Sequence, residues 1–332
     1  MKKRIYFLSF ILSGVVFAQE NKKPFILEHL KHEHQINIVN ATVLQSIKDY
    51  SAVYNSSHVF FTLYLTQNDE VFFNSSITFG NGIRKKIEEK GYTLSPTADD
   101  LEDDLKDING TGRKYLLELY YLKRIKKLTV AGGLIDSTAF IDTNRFANDE
   151  LTQFLNESLV NNPIADLPSY NPGVYVKYNL NNENSVSTVI MSNKPEDELV
   201  YIAEYEFENE SFGLRPYVFK TEKTDQNGFG ISSDFSIYNN LGLFFRGGYS
   251  NQDLNLFFSA GLSKDNTLLK NDTFAVGSSF INNKHDNAKD IKVIEAYYKI
   301  RFKKYFTFTF DAQYMKEENE DIILGGRFYI SF

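Results

Sequence analysis

The chain has 332 residues, 36 Lys plus Arg against 43 Asp plus Glu, and neither cysteine nor tryptophan. Without thiols there can be no disulfide, thiol nucleophile, Cys-ligated metal or lipid-modified cysteine, and the net charge of −7 argues against nucleic acid as a partner. A negative mean hydropathy and no apolar run of about 20 residues past the amino terminus exclude a helical membrane protein, but not one that crosses with strands.

Residues 1–18 read as a cleavable signal peptide: Lys2, Lys3 and Arg4 precede the apolar stretch Ile5 to Ala18, and Val16-Phe17-Ala18 supplies the cleavage site. Cleavage leaves 33 cations against 43 carboxylates, a mature balance of −10. Residues 19–35 read as a periplasmic lead-in. Its His29, His32 and His34 have no regular metal-ligand framework around them, and no metal or cofactor is expected.

From residue 36 to residue 332 the chain alternates apolar and polar residues in short segments. The predicted strands are 36–48, 59–67, 70–79, 113–123, 127–136, 173–181, 185–192, 198–207, 213–221, 228–238, 240–250, 254–263, 272–281, 292–303, 305–315 and 321–332, sixteen in all. The alternation is cleanest where Phe306, Phe308, Phe310, Ala312 and Tyr314 share one face and Thr307, Thr309, Asp311 and Gln313 the other. Period two sustained to the carboxyl terminus needs a surrounding of two phases, lipid on one side and water on the other. The fold class is therefore all-β, a transmembrane antiparallel up-and-down barrel of about 16 strands.

Connection lengths give an independent check, because such barrels have short periplasmic turns and long external loops. With the first strand starting in the periplasm, the two longest links, about 80–112 and 137–172, both fall outside. The links at Gln67 to Glu70, Asn181 to Asn184, Glu208 to Ser211, Asn239 and Lys304 fall inside; Lys264 to Asn271 is long for an inside turn. Even parity returns Phe332 to the periplasm, where the barrel-assembly machinery would read it.

Both long loops carry helical signals. In the first, Thr97 and Asp100 have capping-box spacing and Leu101, Leu105 and Ile108 recur on one face. In the second, Asn148 can cap, Asp149 and Glu150 suit a first turn, and Leu151, Phe154, Leu155 and Leu159 line one side.

The second loop also carries a specific pattern. The run from Gly133 through Asp136, Asp142 and Asn144, then Phe146-Ala147-Asn148-Asp149-Glu150 and Gln153-Phe154-Leu155-Asn156, with Asn161-Asn162-Pro163 and Leu167-Pro168, resembles the carbohydrate-selective porin family. Asp272-Thr273, Glu295-Ala296-Tyr297-Tyr298, Asp311-Ala312-Gln313-Tyr314 and Gly326-Arg327 are similar to that family's later strands. The chain departs from it at Phe310, where relatives commonly carry proline, and in having no tryptophan. The resemblance implies a sixteen-stranded outer-membrane barrel of a Gram-negative bacterium that passes saccharides by diffusion.

A barrel of this size is too wide for its own side chains to fill, which leaves an aqueous channel unless loops plug it. The inward faces predict Glu204, Glu206, Arg246, Tyr297, Lys299, Arg301, Asp311, Gln313, Arg327 and Tyr329 as pore-lining. Charged and amide groups can pair with sugar hydroxyls, or can merely brace the wall. Asp136, Asp142, Asn144, Asn148, Asp149 and Asn156 either form the narrowing or cap and tie the loop. They lack the ordered spacing of a calcium loop. The expected partners are outer-membrane lipid and sugars in transit, and the barrel is a monomer or a homotrimer.

Two other classes compete with a channel. An adhesin or structural barrel would share the alternation, whereas a barrel enzyme would need a general base. His58 follows Ser56 and Ser57, but adjacency in sequence is not the geometry of a catalytic triad. The chain is not expected to be an enzyme.

Overall fold

The computed structural model describes residues 34–108, 110–237, 240–285 and 288–332. The predicted signal peptide, and with it His29 and His32, lies outside the described residues. The described chain forms a single closed antiparallel barrel of sixteen strands, each paired with its neighbours in sequence: β1 (His34–Ile47), β2 (Tyr50–Tyr64), β3 (Asp69–Phe79), β4 (Leu116–Ile125), β5 (Leu128–Ile135), β6 (Asn171–Asn179), β7 (Asn184–Asn193), β8 (Glu198–Glu208), β9 (Phe212–Thr221), β10 (Asn227–Ile237), β11 (Leu241–Ser250), β12 (Leu254–Asp265), β13 (Asp272–Asn283), β14 (Ile291–Lys303), β15 (Phe306–Lys316) and β16 (Glu320–Ser331).

Closure is made by β1 and β16, in register from Val39 opposite Ser331 to Ile47 opposite Ile323. Phe332 extends the seam, since its N–H donates to Ile38 O at 3.0 Å and its carbonyl accepts from Ile38 N at 3.2 Å. No free sheet edge remains, which is the condition for crossing hydrocarbon with strands. The outward residues form an apolar belt: Phe79 is 65% exposed, Ile322 63%, Val218 56% and Phe310 55%. Scattered apolar residues are normal on a water-facing surface, but a belt around the whole barrel is not.

One patch interrupts the belt. On the outer face of β1 and β2, Asn40 Nδ2 donates to Asn55 Oδ1 at 3.0 Å and to Ser57 Oγ at 2.7 Å, and Asn55 Nδ2 donates to Asn40 Oδ1 at 3.1 Å and Thr42 Oγ1 at 2.7 Å. The two amides satisfy each other, which lowers the cost of holding them among apolar neighbours. They also hid part of a strand from the sequence reading. β2 begins at Tyr50 rather than residue 59, and a turn at Lys48 and Asp49, with Lys48 at φ 50°, replaces the expected longer link.

Other corrections are smaller. β1 starts at His34, within the expected lead-in, and β4 starts at Leu116 rather than residue 113. The long turn before β13 is ordered by Asp272, whose carboxylate accepts the N–H groups of Thr267, Leu268 and Leu269 at 2.6, 2.9 and 2.8 Å. Within β5, Gly133 adopts φ 144°, and a Cβ there would sit 2.3 Å from Leu119 O. Only glycine lets β4 and β5 approach at that point.

The two long connections, residues 80–115 and 136–170, leave from the same end of the barrel, as their parity requires. The first holds helices α1 (Arg84–Glu89) and α2 (Glu102–Asp107); the second holds a 3-10 turn (Ser137–Ala139) and helix α3 (Glu157–Val160). Their positions correct the sequence reading. Leu101, Leu105 and Ile108 are buried as expected, but Thr97 is not the cap of α2: its hydroxyl pairs with Tyr54 Oη at 2.8 Å and accepts Asp99 N at 3.4 Å. Asn148 is likewise no cap; Asn156 is, accepting Ser158 N at 3.1 Å.

Candidate functional site

Both long loops fold inward, so the protein's main buried core lies inside the barrel. Ile83, Ile87, Tyr92 and Leu94 of the first loop join one apolar cluster with Phe257, Ile281, Ile291, Val293, Met315 and Ile323 of the wall. Ala147, Phe154, Leu159 and Val160 of the second join another with Phe244, Ala275 and Tyr297. Near the loop end the inner wall is therefore apolar, because it seats loops there.

The second loop packs its apolar side chains on several wall strands and takes its polar ties from β8 to β16. Asp142 N–H donates to Glu204 Oε2 at 2.9 Å, and Asn144 Nδ2 donates to Ser232 Oγ and Ser233 O, both at 3.1 Å. Arg246, fully buried, holds the middle of the loop. Its Nη2 donates to Asp142 O and Asn148 Oδ1, each at 2.9 Å, its Nη1 to Leu159 O at 3.1 Å and to Ala147 O, and its Nε lies 3.0 Å from Asp142 Oδ2.

Further round, Glu295 accepts the N–H groups of Leu155 and Asn156 at 2.6 and 2.9 Å. Arg327 donates to Glu150 O and Gln153 O at 2.6 and 2.7 Å, and Lys299 to Thr152 O at 3.0 Å. Gln313 donates to Pro96 O of the first loop at 2.9 Å and to Asp311 Oδ1 at 3.1 Å, while accepting from Asn156 Nδ2 at 3.1 Å. Irregular backbone at this depth has no strand to pair with, and these charged and amide side chains take the partner's place.

Of the ten sequence-predicted pore-lining residues, Glu204, Arg246, Tyr297, Asp311, Gln313 and Arg327 are buried on the inner face beneath the loops and are not open to solvent. Glu206 pairs with Lys177 at 3.0 Å; Lys299 and Tyr329 are half-buried and Arg301 is exposed. In the loop, Asp136 accepts Thr138 N at 2.9 Å, and Asp149 accepts Leu151 N at 2.9 Å. The six loop candidates thus shape the loop and tie it to the wall, and the loop they shape occupies the lumen.

Sequence reasoning missed the first loop's contribution. A cavity of about 410 Å³ opens between the two loops, bordered by Arg84, Tyr92, Thr97, Asp99, Asp100 and Glu157 among others. Burial pushes the Asp99 carboxyl up to about 8, with the Asp100 charge adding to the shift. Burial also lifts Asp100 and Glu157, each to about 7. The signal was present as an acidic run after Pro96, but nothing local said that it would be enclosed.

The serine–histidine adjacency does become a contact. Ser56 Oγ lies 2.9 Å from His58 Nε2, and His58 Nδ1 lies 3.4 Å from Asn74 Oδ1. Yet Ser56 is 0% exposed, and its hydroxyl also donates to Asp99 Oδ1 at 3.3 Å and accepts from Thr78 Oγ1 at 3.3 Å. A nucleophile needs a face open to its substrate, and this serine is enclosed in the seat of the first loop.

No protein-family model matches the chain. An uncharacterized protein of Aquifex aeolicus strain VF5 is 39% identical over 305 residues, which are 91% of this chain and 96% of that protein. Among solved structures, the fold is similar to the high-pH structure of Pseudomonas putida OprB, with a TM-score of 0.76 and 11% identity over 92% of this chain and 96% of that one. The low-pH structure of the same protein gives 0.61 and 13% over 90% and 92%, and a triple mutant of the Rhodopseudomonas blastica porin gives 0.57 and 8% over 90% and 100%. Likeness at these identities is a likeness of fold: a sixteen-stranded barrel of the porin type.

Proposed function

We propose that this chain, which belongs to the same family as the Aquifex aeolicus protein, is an outer-membrane porin: a water-filled channel of a Gram-negative bacterium through which carbohydrates and other small hydrophilic solutes diffuse passively. The observation that carries the reading is the second loop held inside a closed, lipid-belted wall. Sixteen strands enclose more space than side chains fill, and a loop held against the inner wall narrows that space. No energy source or reactive group is required. Selectivity arises from width, charge and hydrogen bonding at the narrowing.

The resemblance of the loop sequence to carbohydrate-selective porins supports saccharides as the solutes, because the residues that carry it build this loop. The reading is tested by placing the purified barrel in liposomes and measuring swelling with sugars of graded size. Monosaccharides should enter rapidly and larger oligosaccharides more slowly. A barrel that inserts but admits neither would be a structural or adhesive one.

A further inference from the structure

At the end of the barrel opposite the long loops, the connection between β12 and β13, residues 266–271, is longer than its neighbours. Its length has not made it loose. Asn266 and Asn271 adopt φ 54° and 68°, Asn266 N–H donates to Asp272 O at 2.8 Å, and Asn271 N–H donates to Asn266 Oδ1 at 2.8 Å. The Asp272 carboxylate, which gathers the N–H groups of Thr267, Leu268 and Leu269, also accepts the Tyr298 hydroxyl at 2.5 Å.

Register decides on which side of the wall this happens. Ala275 and Tyr297 are directly opposite each other and belong to the buried cluster inside the barrel, so the next pair, Phe274 and Tyr298, points outward. Asp272, two residues before Phe274, points outward with them. The turn that wraps its carboxylate therefore folds over the lipid side of the wall and not across the bore. It leaves Leu268 78% and Leu269 53% exposed, and Phe302, at the end of the strand that pairs with β13, is exposed as well.

Cations stand beside these apolar groups. Lys270, Lys303 and Lys304 are exposed and form no ion pair among the described residues. The nearby carboxylates are already engaged, Asp272 beneath the turn and Asp265 by the Thr273 hydroxyl at 2.6 Å.

We propose that the turn 266–271 is an anchor for anionic phospholipid of the periplasmic leaflet, with Leu268 and Leu269 among the acyl chains at headgroup level and Lys270, Lys303 and Lys304 on the phosphates. The lipid belt reaches this turn without a break through Phe274 and Tyr298, so the hydrocarbon boundary that meets those rings meets the leucines too. A lysine suits that boundary because its stem is apolar and its head cationic. The inference rests on the reading of the chain as an outer-membrane barrel with this end toward the periplasm.

The chain has no tryptophan, so one introduced by Leu268→Trp reports on this position alone. The full-length barrel carrying it is placed in vesicles of phosphatidylethanolamine with phosphatidylglycerol as the minor lipid, and equal amounts of one lipid or the other are brominated on the acyl chains to quench the emission. Emission should be blue-shifted from that of tryptophan in water, and brominated phosphatidylglycerol should quench about threefold more strongly than brominated phosphatidylethanolamine. Lys270→Gln, Lys303→Gln and Lys304→Gln together should remove that preference and keep the blue shift. Emission as in water, quenched by neither lipid, would leave the turn to a soluble partner and overturn the anchor. Equal quenching by the two lipids before the lysines are replaced would overturn the phosphate contact. Failure of the wild-type barrel to insert into the vesicles, read from heat-modifiable migration, would instead overturn the membrane reading beneath it.

Discussion

Arg246 and Asp142 form an ion pair at 3.0 Å in which the two side chains are 0% and 1% exposed. The pair joins a wall strand to a loop that shares no backbone ladder with it. Removing one member strands the other charge, which costs about 3–5 kcal/mol in a buried site. The barrel ladder does not depend on it, so the loss falls on loop seating. Arg246→Leu should therefore keep heat-modifiable migration in detergent gels while making residues 142–156 cleavable by added protease. Protection equal to wild type would show that other contacts hold the loop.

Deleting residues 142–156 removes the loop that Arg246, Glu295, Arg327 and Lys299 hold. Those side chains then meet water and need no protein partner. Single-channel conductance should rise well above wild type while the barrel still inserts, and unchanged conductance would place the narrowing elsewhere.

Face assignment can be tested on β15, where Thr307 is buried on the inner side and Phe308 points outward, opposite Phe328 of β16. Arg on the lipid face costs about 2–4 kcal/mol near mid-membrane. Phe308→Arg should reduce the folded fraction in lipid far more than Thr307→Arg, measured by the same gel shift. Equal losses would mean that Phe308 does not face lipid.

The loop carboxyls make seating of the mouth sensitive to pH. Asp99 has an ordinary value of 3.8 but titrates at about 8 in the seated loop, chiefly through burial. Below about 4 both the seated and the released loop carry the proton, and full seating stability is present. Between there and about 8 the released loop gives up its proton while the seated one keeps it, so seating weakens as pH rises. Current fluctuations of the open channel should accordingly grow from acid to mildly alkaline pH, and Asp99→Asn should reduce that dependence, leaving the part carried by Asp100 and Glu157. An unaltered profile in Asp99→Asn would exclude this carboxyl as the source.

Much of the wall was legible because a strand's period of two reports which face a residue takes. The two faces of β15 followed directly from it, as did the inward side of Glu204 on β8 and Tyr297 on β14, and so did the even strand count that brings Phe332 back to close on Ile38. The pattern failed at Tyr50 to Ser57, where Asn55 and Ser57 put polar groups on the outward face as well and so erased the contrast. Capping was misread for a related reason. The Thr97 hydroxyl and the Asn148 amide have the right local chemistry, but Tyr54 and Arg246, distant in sequence, take them first.

What alternation determined was the side of the wall; it carries no information about what stands opposite. Arg246, Arg327 and Gln313 read as groups for solutes, and only the folded loops revealed them as partners for loop backbone. The ring contacts that run from Phe60 through Phe72, Tyr120 and Phe140 to Tyr175 likewise depend on closure. Three neighbouring strands, a fourth strand and a loop must curve around one lumen before their rings meet, because each contact is set by strand register and barrel curvature and not by any spacing along the chain.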